Sequence, residues 1–248
     1  MSLKDQLVFS SAGGCDSFQV NKLRLNLAKG GYVCVRCSLS LVQHTATAVT
    51  DQDVAAYLAH ASGRDGASCI LDHGLSGKVY VGTFAASINP FISEHAIQVV
   101  VNCSDLHLSD RSDFHNWAVK VEALEKSGAI SVLRLNWSDT ESQKLWEIEE
   151  WDQLIHAIKI IHYARLANKN VVIHCAQGKS RSGAVAIAYI MSIDSAMNFE
   201  KALSFVQSKR AIVEPNPSFA AQLKKFERSD ALRSIRSQIA LGELAPRS

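Results

Sequence analysis

The chain has 248 residues, 47% hydrophobic and 20% charged, a composition that builds a buried core and excludes a disordered chain. Its 26 Lys plus Arg against 24 Asp plus Glu leave a net charge of +2, which argues against a general nucleic-acid binder. No apolar run reaches the ~20 residues that span a bilayer, and residues 1–30 lack the basic start and apolar centre of a secretory signal.

A soluble intracellular protein is therefore expected, cytoplasmic with the nucleus as the alternative. The length suits one domain with an appendage, or two small domains. Six cysteines (Cys15, Cys34, Cys37, Cys69, Cys103 and Cys175) in a chain this long do not read as a disulfide framework. Cys34 and Cys37 form a lone C-x-x-C with only His44 close by, short of the ligand set that zinc needs. No metal and no cofactor are expected.

The early stretch alternates with a period of two. Leu23, Leu25 and Leu27 make one strand, and Val33, Val35, Cys37, Leu39 and Leu41 make another, with Gly30–Gly31 as the hairpin between them. A helix is expected after Thr50 as N-cap, with Asp53 three residues on. Residues 61–67 read as a linker. Residues 1–67 are thus expected as a β-rich extension whose role the sequence does not name.

From about residue 68 strands alternate with helices, and the expected class is α/β, a mostly parallel sheet flanked by helices. Strands are expected at Val79–Val81, Ile97–Asn102 and Ile130–Leu135, with a brief helix opened by Pro90. Trp151, Leu154, Ile155, Ile158 and Ile161 form one stripe of a long helix within 145–167. Val171–Ile173 reads as a strand buried on both faces and Gly183–Met191 as a central buried helix. Helices follow near 198–209 and 218–228, separated by Pro215 and Pro217. Residues 229–248 are set apart as a C-terminal tail.

The chemistry lies between that strand and that helix, in His174-Cys175-Ala176-Gln177-Gly178-Lys179-Ser180-Arg181-Ser182. A loop folding back before a helix N-terminus points its N–H groups into one concavity, an anion nest, and the helix dipole adds about half a positive charge. Arg181 offers a planar fork that matches two phosphate oxygens. The same field lowers the pKa of a thiol to roughly 3.5–7.5 in such sites, so Cys175 is expected to be a nucleophile at neutral pH.

His-Cys-x5-Arg-Ser on a strand–loop–helix resembles the phosphate-binding loop of the cysteine-based protein tyrosine phosphatases, and Ser180-Arg181-Ser182 is similar to their dual-specificity branch. The resemblance extends to Val79-Tyr80-Val81-Gly82, Val99-Val100-Val101-Asn102, Ala188-Tyr189-Ile190-Met191 and Pro215-Asn216-Pro217-Ser218-Phe219, covering about 68–228. It implies a catalytic domain over that range and a two-step reaction. Cys175 attacks phosphorus while a carboxylic acid protonates the leaving oxygen, and water then releases the cysteinyl phosphate.

The residues alone leave Asp105, Asp110, Asp113 and Asp139 as candidate acids. The resemblance favours Asp139, which also suits a helix N-cap, with Asp113 in reserve. It further implies phosphate binding by the 176–181 loop (Ala176, Gln177, Gly178, Lys179, Ser180 and Arg181), a hydrogen bond from Ser182 to the departing sulfur, loop orientation by the His174 ring and bracing of the loop by Asn216. Some relatives shelter the nucleophile with a second cysteine; Cys103 is in the matching place, although a simple core thiol reads better. The implied substrate is a phosphoprotein, kinases among them, carrying phosphotyrosine or phosphoserine/phosphothreonine. Lys179 keeps a phosphoinositide phosphatase as the alternative, and a phosphoprotein-binding pseudophosphatase is the non-enzyme class. Retention of Cys175, Arg181 and an eligible Asp argues against the latter.

Overall fold

The structure, a computed structural model, describes residues 20–26, 31–34, 66–72, 77–87, 89–104, 115–145 and 153–244. Near the start, β1 (Val20–Asn26) and β2 (Gly31–Cys34) pair antiparallel as a separate two-stranded sheet. Gly31 opens the second strand, paired with Asn26, rather than lying in the turn where the glycine pair is expected. Residues 35–41, the Thr50–Asp53 helix start and the Cys37 and His44 positions lie outside the described residues.

The main sheet has five strands: β3 (Ala67–Leu71), β4 (Val79–Gly82), β5 (Ile97–Ser104), β6 (Ser131–Trp137) and β7 (Asn170–His174). Their order is β3-β4-β7-β5-β6, parallel except for the antiparallel edge strand β3. β3 begins inside the stretch read as linker, and the sequence reading had no strand there. The centre of the sheet is β7, hydrogen-bonded to β4 and β5 on its two sides, so Val171, Val172 and Ile173 have no solvent face.

Alternation along the strands divides the core into two clusters. Val79, Val81, Val99, Val101, Val171 and Ile173 face one side, and Tyr80, Val100 and Val172 face the other. The second side is covered by α1 (Asn89–Glu94), through Phe91 and Ile92, and by α2 (His115–Lys126), through Val121 and Leu124. The first side carries α3 (Gln153–Leu166), α4 (Arg181–Ile193), α5 (Phe199–Lys209), α6 (Pro217–Glu227) and α7 (Asp230–Ala240). Among these α4 is buried from Arg181 to Ser192, which is why its sequence is almost wholly apolar.

Part of the stretch set apart as a C-terminal tail is a helix of this domain. Leu232 and Ile235 of α7, with Leu244 beyond it, enter the core cluster, each worth roughly 1.5–3 kcal/mol when fully buried. Arg236 donates from Nε to Met191 O at 2.9 Å and from Nη2 to Met197 O at 2.8 Å. Its guanidinium thereby satisfies one carbonyl in the last turn of α4 and one in the connection to α5, where positive charge also complements the helix dipole.

Candidate active site

The sheet brings one chain segment to the mouth of the fold. β7 ends at His174 and α4 begins at Arg181, so Cys175–Ser180 must turn within six residues above the C-terminal edge of the sheet. Beneath the turn lies the end of β4, where Gly82 O accepts from Cys175 N at 3.3 Å. Gly178 rests on that same glycine with a φ of +65°, a conformation that glycine adopts without steric cost.

The loop closes around a sulfur. Gly178 N donates to Cys175 Sγ at 3.2 Å, and Ser182 Oγ lies 3.3 Å from it. Cys175 is buried and unpaired with any other cysteine. Burial by itself would raise its pKa. The Arg181 charge, the Ser182 hydroxyl and the backbone N–H groups of Ser182 and Lys179 outweigh that burial and hold it below the ordinary thiol value. The N-cap of α4 is Ser180, yet its side chain makes no capping bond. The first N–H groups of the helix therefore remain available to an anion.

Ser180 uses its hydroxyl elsewhere. It donates to Asp139 Oδ1 at 2.7 Å and accepts from Asn216 N at 3.2 Å. Asn216 Nδ2 also donates to Asp139 Oδ1, at 2.9 Å, while its own Oδ1 caps α6 by accepting from Phe219 N. The other Asp139 oxygen faces Arg181 Nε at 3.7 Å. Asp139 is thus fixed beside the cup by two segments distant in sequence, 180–181 and Asn216, with its side chain still 37% exposed. Asn216 reaches the cup through Asp139 and Ser180 rather than by a side-chain bond to the loop backbone. Asp105, Asp110 and Asp113 lie outside the described residues.

Arg181 is buried, and its Nη1 donates to Trp137 O at 2.9 Å. Trp137 is in turn fully buried, with Nε1 donating to Gln153 Oε1 at 2.6 Å. Among the loop residues Ala176 is buried and Gln177 exposed. Lys179 sits on the rim, where its Nζ meets Glu214 Oε2 at 2.6 Å. His174 is buried; burial pushes its pKa down to about 4, the Arg181 charge adds to this and the Cys175 backbone opposes it. Its Nδ1 is a buried nitrogen without a hydrogen-bond partner.

Cys103 follows Asn102, which pairs in register with His174. It is fully buried, with Sγ 3.8 Å from Val101 O, and burial first, then proximity to Cys175, raises its pKa well above the usual thiol value. Those surroundings disfavour its thiolate form. Among the described residues no group of three or more His, Cys, Asp or Glu is placed to hold a metal ion, and no helix is long and apolar enough to cross a membrane.

The sequence reading missed Trp137, Arg210 and Glu214. Arg210 Nε donates to Gly178 O at 2.9 Å and Glu214 N to Lys179 O at 3.1 Å. A basic residue in a last helical turn reads as a dipole partner, and nothing local marks it as a partner of a loop 32 residues away.

Comparison with known proteins agrees with this geometry. The family model described as the dual specificity phosphatase catalytic domain matches residues 79–229, more than half of the chain. Rat dual specificity protein phosphatase 15 is 34% identical over 97 residues, which is 39% of this chain and 39% of that protein. Human dual specificity protein phosphatase 22 is 32% identical over 123 residues, 50% of this chain and 64% of that protein. The matches therefore span less than two thirds of either relative. A crystal structure of DUSP15 superposes with a TM-score of 0.55 at 21% identity, covering 71% of this chain and 96% of that one, which shows a shared fold.

Proposed function

Because the chain belongs to the dual-specificity phosphatase catalytic-domain family, we propose that it hydrolyses phosphotyrosine and phosphoserine/phosphothreonine esters on proteins through a cysteinyl-phosphate intermediate. The observation that carries the reading is the buried Cys175 sulfur, held by the Gly178 N–H and beside Ser182 at the N-terminus of α4, with Asp139 fixed next to Arg181.

In the first step the Cys175 thiolate attacks phosphorus. The phosphorus–oxygen ester bond breaks, and its electron pair leaves on an oxygen that takes a proton from Asp139. Arg181 and the loop N–H groups meet the charge on the three equatorial oxygens, where one well-placed donor is worth about 3–4 kcal/mol. Ser182 donates to the sulfur as the phosphorus–sulfur bond breaks in the second step. Water supplies the new oxygen, and Asp139 takes its proton. His174, neutral above a pKa of about 4, transfers no proton here.

The protein reading stands above the phosphoinositide one because Glu214 neutralises Lys179 on the rim, and Lys179 is the cation the lipid reading needs. The test is hydrolysis of p-nitrophenyl phosphate by the full chain, expected to be vanadate-sensitive and indifferent to EDTA, followed by a panel of phosphopeptides and phosphoinositides. Faster turnover of the lipids than of every peptide overturns the substrate class. No turnover of any ester, with tight phosphopeptide binding, leaves a pseudophosphatase.

Asp139→Asn is expected to lower kcat by roughly 10²–10³ on a phosphothreonine peptide. The loss should be smaller on p-nitrophenyl phosphate, whose leaving group departs without protonation. Unchanged kcat on both substrates would move the acid to Asp105, Asp110 or Asp113.

A further inference from the structure

The cup has a feature that phosphate binding alone does not require. Two consecutive carbonyls of the loop, those of Gly178 and Lys179, are both tied outward to one turn, residues 210–214. In a trans peptide the C=O and the N–H point in opposite directions. A carbonyl held outward therefore aims the N–H of the following residue inward. Arg210 Nε on Gly178 O fixes the Lys179 N–H, and Glu214 N on Lys179 O fixes that of Ser180.

Such fixing has a cost to prevent. Gly178, at φ +65°, has more backbone freedom than any other residue type. A flip of the Gly178–Lys179 peptide would turn a carbonyl dipole toward the sulfur and remove an N–H from it. Arg210 is suited to block that flip. It is buried, at 5% exposed, and terminates α5, whose Val206 O accepts from Arg210 N at 2.8 Å. A charged donor on a buried carbonyl makes one of the stronger hydrogen bonds a backbone can receive.

We propose that Arg210 is a positioning residue of the cup, holding the Gly178–Lys179 peptide with its N–H toward Cys175 and so maintaining both the thiolate and the phosphate nest. This rests on the phosphatase reading above. The Lys179 N–H is among the groups that lower the pKa of Cys175, and it acts only while the carbonyl stays outward. Arg210 itself touches neither sulfur nor substrate; it acts through the peptide.

The experiment compares full-length wild type, Arg210→Met, Arg210→Lys and Arg236→Met. Three quantities are read: the pH midpoint of iodoacetate alkylation of Cys175, inhibition by inorganic phosphate, and Tm. Wild type is expected to alkylate with a midpoint below that of a free thiol. Arg210→Met should raise the midpoint by about one pH unit and weaken phosphate about tenfold, and Arg210→Lys, which keeps a donor, should recover part of both. Arg236→Met removes a carbonyl clamp at the far end of α4 and should lower Tm with the midpoint unchanged.

A wild-type midpoint in the ordinary thiol range would sink the phosphatase reading itself. A low wild-type midpoint that Arg210→Met leaves in place, whatever its Tm, would overturn the inference alone. If Arg210→Met does not fold, Arg210→Lys decides: an unshifted midpoint together with unchanged phosphate inhibition counts against the proposal.

Discussion

Cys175→Ser will remain folded and will lose at least ~10⁴ of the turnover, which corresponds to about 5.5 kcal/mol of transition-state stabilisation. The field at the end of β7 lowers the Cys175 pKa, and a thiol, which begins near 8.5, needs only a modest shift to ionise. A serine hydroxyl begins far higher, and the same Arg181 charge and N–H groups leave it protonated. Among the described residues, Asp139 meets Ser180, Asn216 and Arg181 rather than the side chain at position 175. Oxygen for sulfur is a small change of volume, and the variant no longer buries an anion, so Tm should hold or rise. Assay of p-nitrophenyl phosphate together with Tm checks the pair. Turnover within a factor of ten of wild type would place the nucleophile elsewhere.

Gly178→Ala should damage both stability and catalysis. A non-glycine residue at positive φ costs about 1–2 kcal/mol by itself. The added methyl would stand 2.5 Å from Gly82 C and 2.6 Å from Gly82 O, with Arg210 Nη2 at 2.7 Å. The first two are backbone atoms of β4, pinned between β3 and β7, and cannot give way as a side-chain end does. The loop must lift instead. Lifting breaks the Gly178 N–H bond to the sulfur and the Arg210 bond to Gly178 O together. A stability loss of about 2–4 kcal/mol and a fall in kcat/KM of roughly 10²–10³ are expected, read by urea unfolding and by the ester assay. Wild-type values for both would mean that the cup is looser than its contacts indicate.

The chemistry of this chain was legible because it is local. A strand, the six residues after it and a helix carry the proposed nucleophile, the guanidinium and the nest, and the periodicity of Val171–Ile173 and of Gly183–Met191 locates both flanks. Elements held by distant partners were harder to read. β3 is five residues long beside a Gly-rich stretch, and it pairs only because β4 offers a free edge. The apolar positions of α7, Leu232 and Ile235, are spaced for a helix, but the surrounding arginines suggest a solvated tail. That Arg236 binds a carbonyl in the last turn of α4 and another in the connection after it is a tertiary fact. Arg210 is the same kind of case. The missing Nδ1 partner of His174 likewise follows from packing, which no neighbouring residue announces.

The anchors of the cup come late in the chain. Its carbonyls are held from 210 and 214, and Asp139 is held by Asn216. During synthesis the segment 175–181 leaves the ribosome well before those anchors do. A nascent chain that ends short of Arg210 carries the thiol and the peptides that acidify it, but not the hydrogen bonds that hold those peptides in place. On the proposed reading the sulfur is held as a thiolate only once the segment after α5 has docked, and until then Cys175 has the reactivity of an ordinary cysteine.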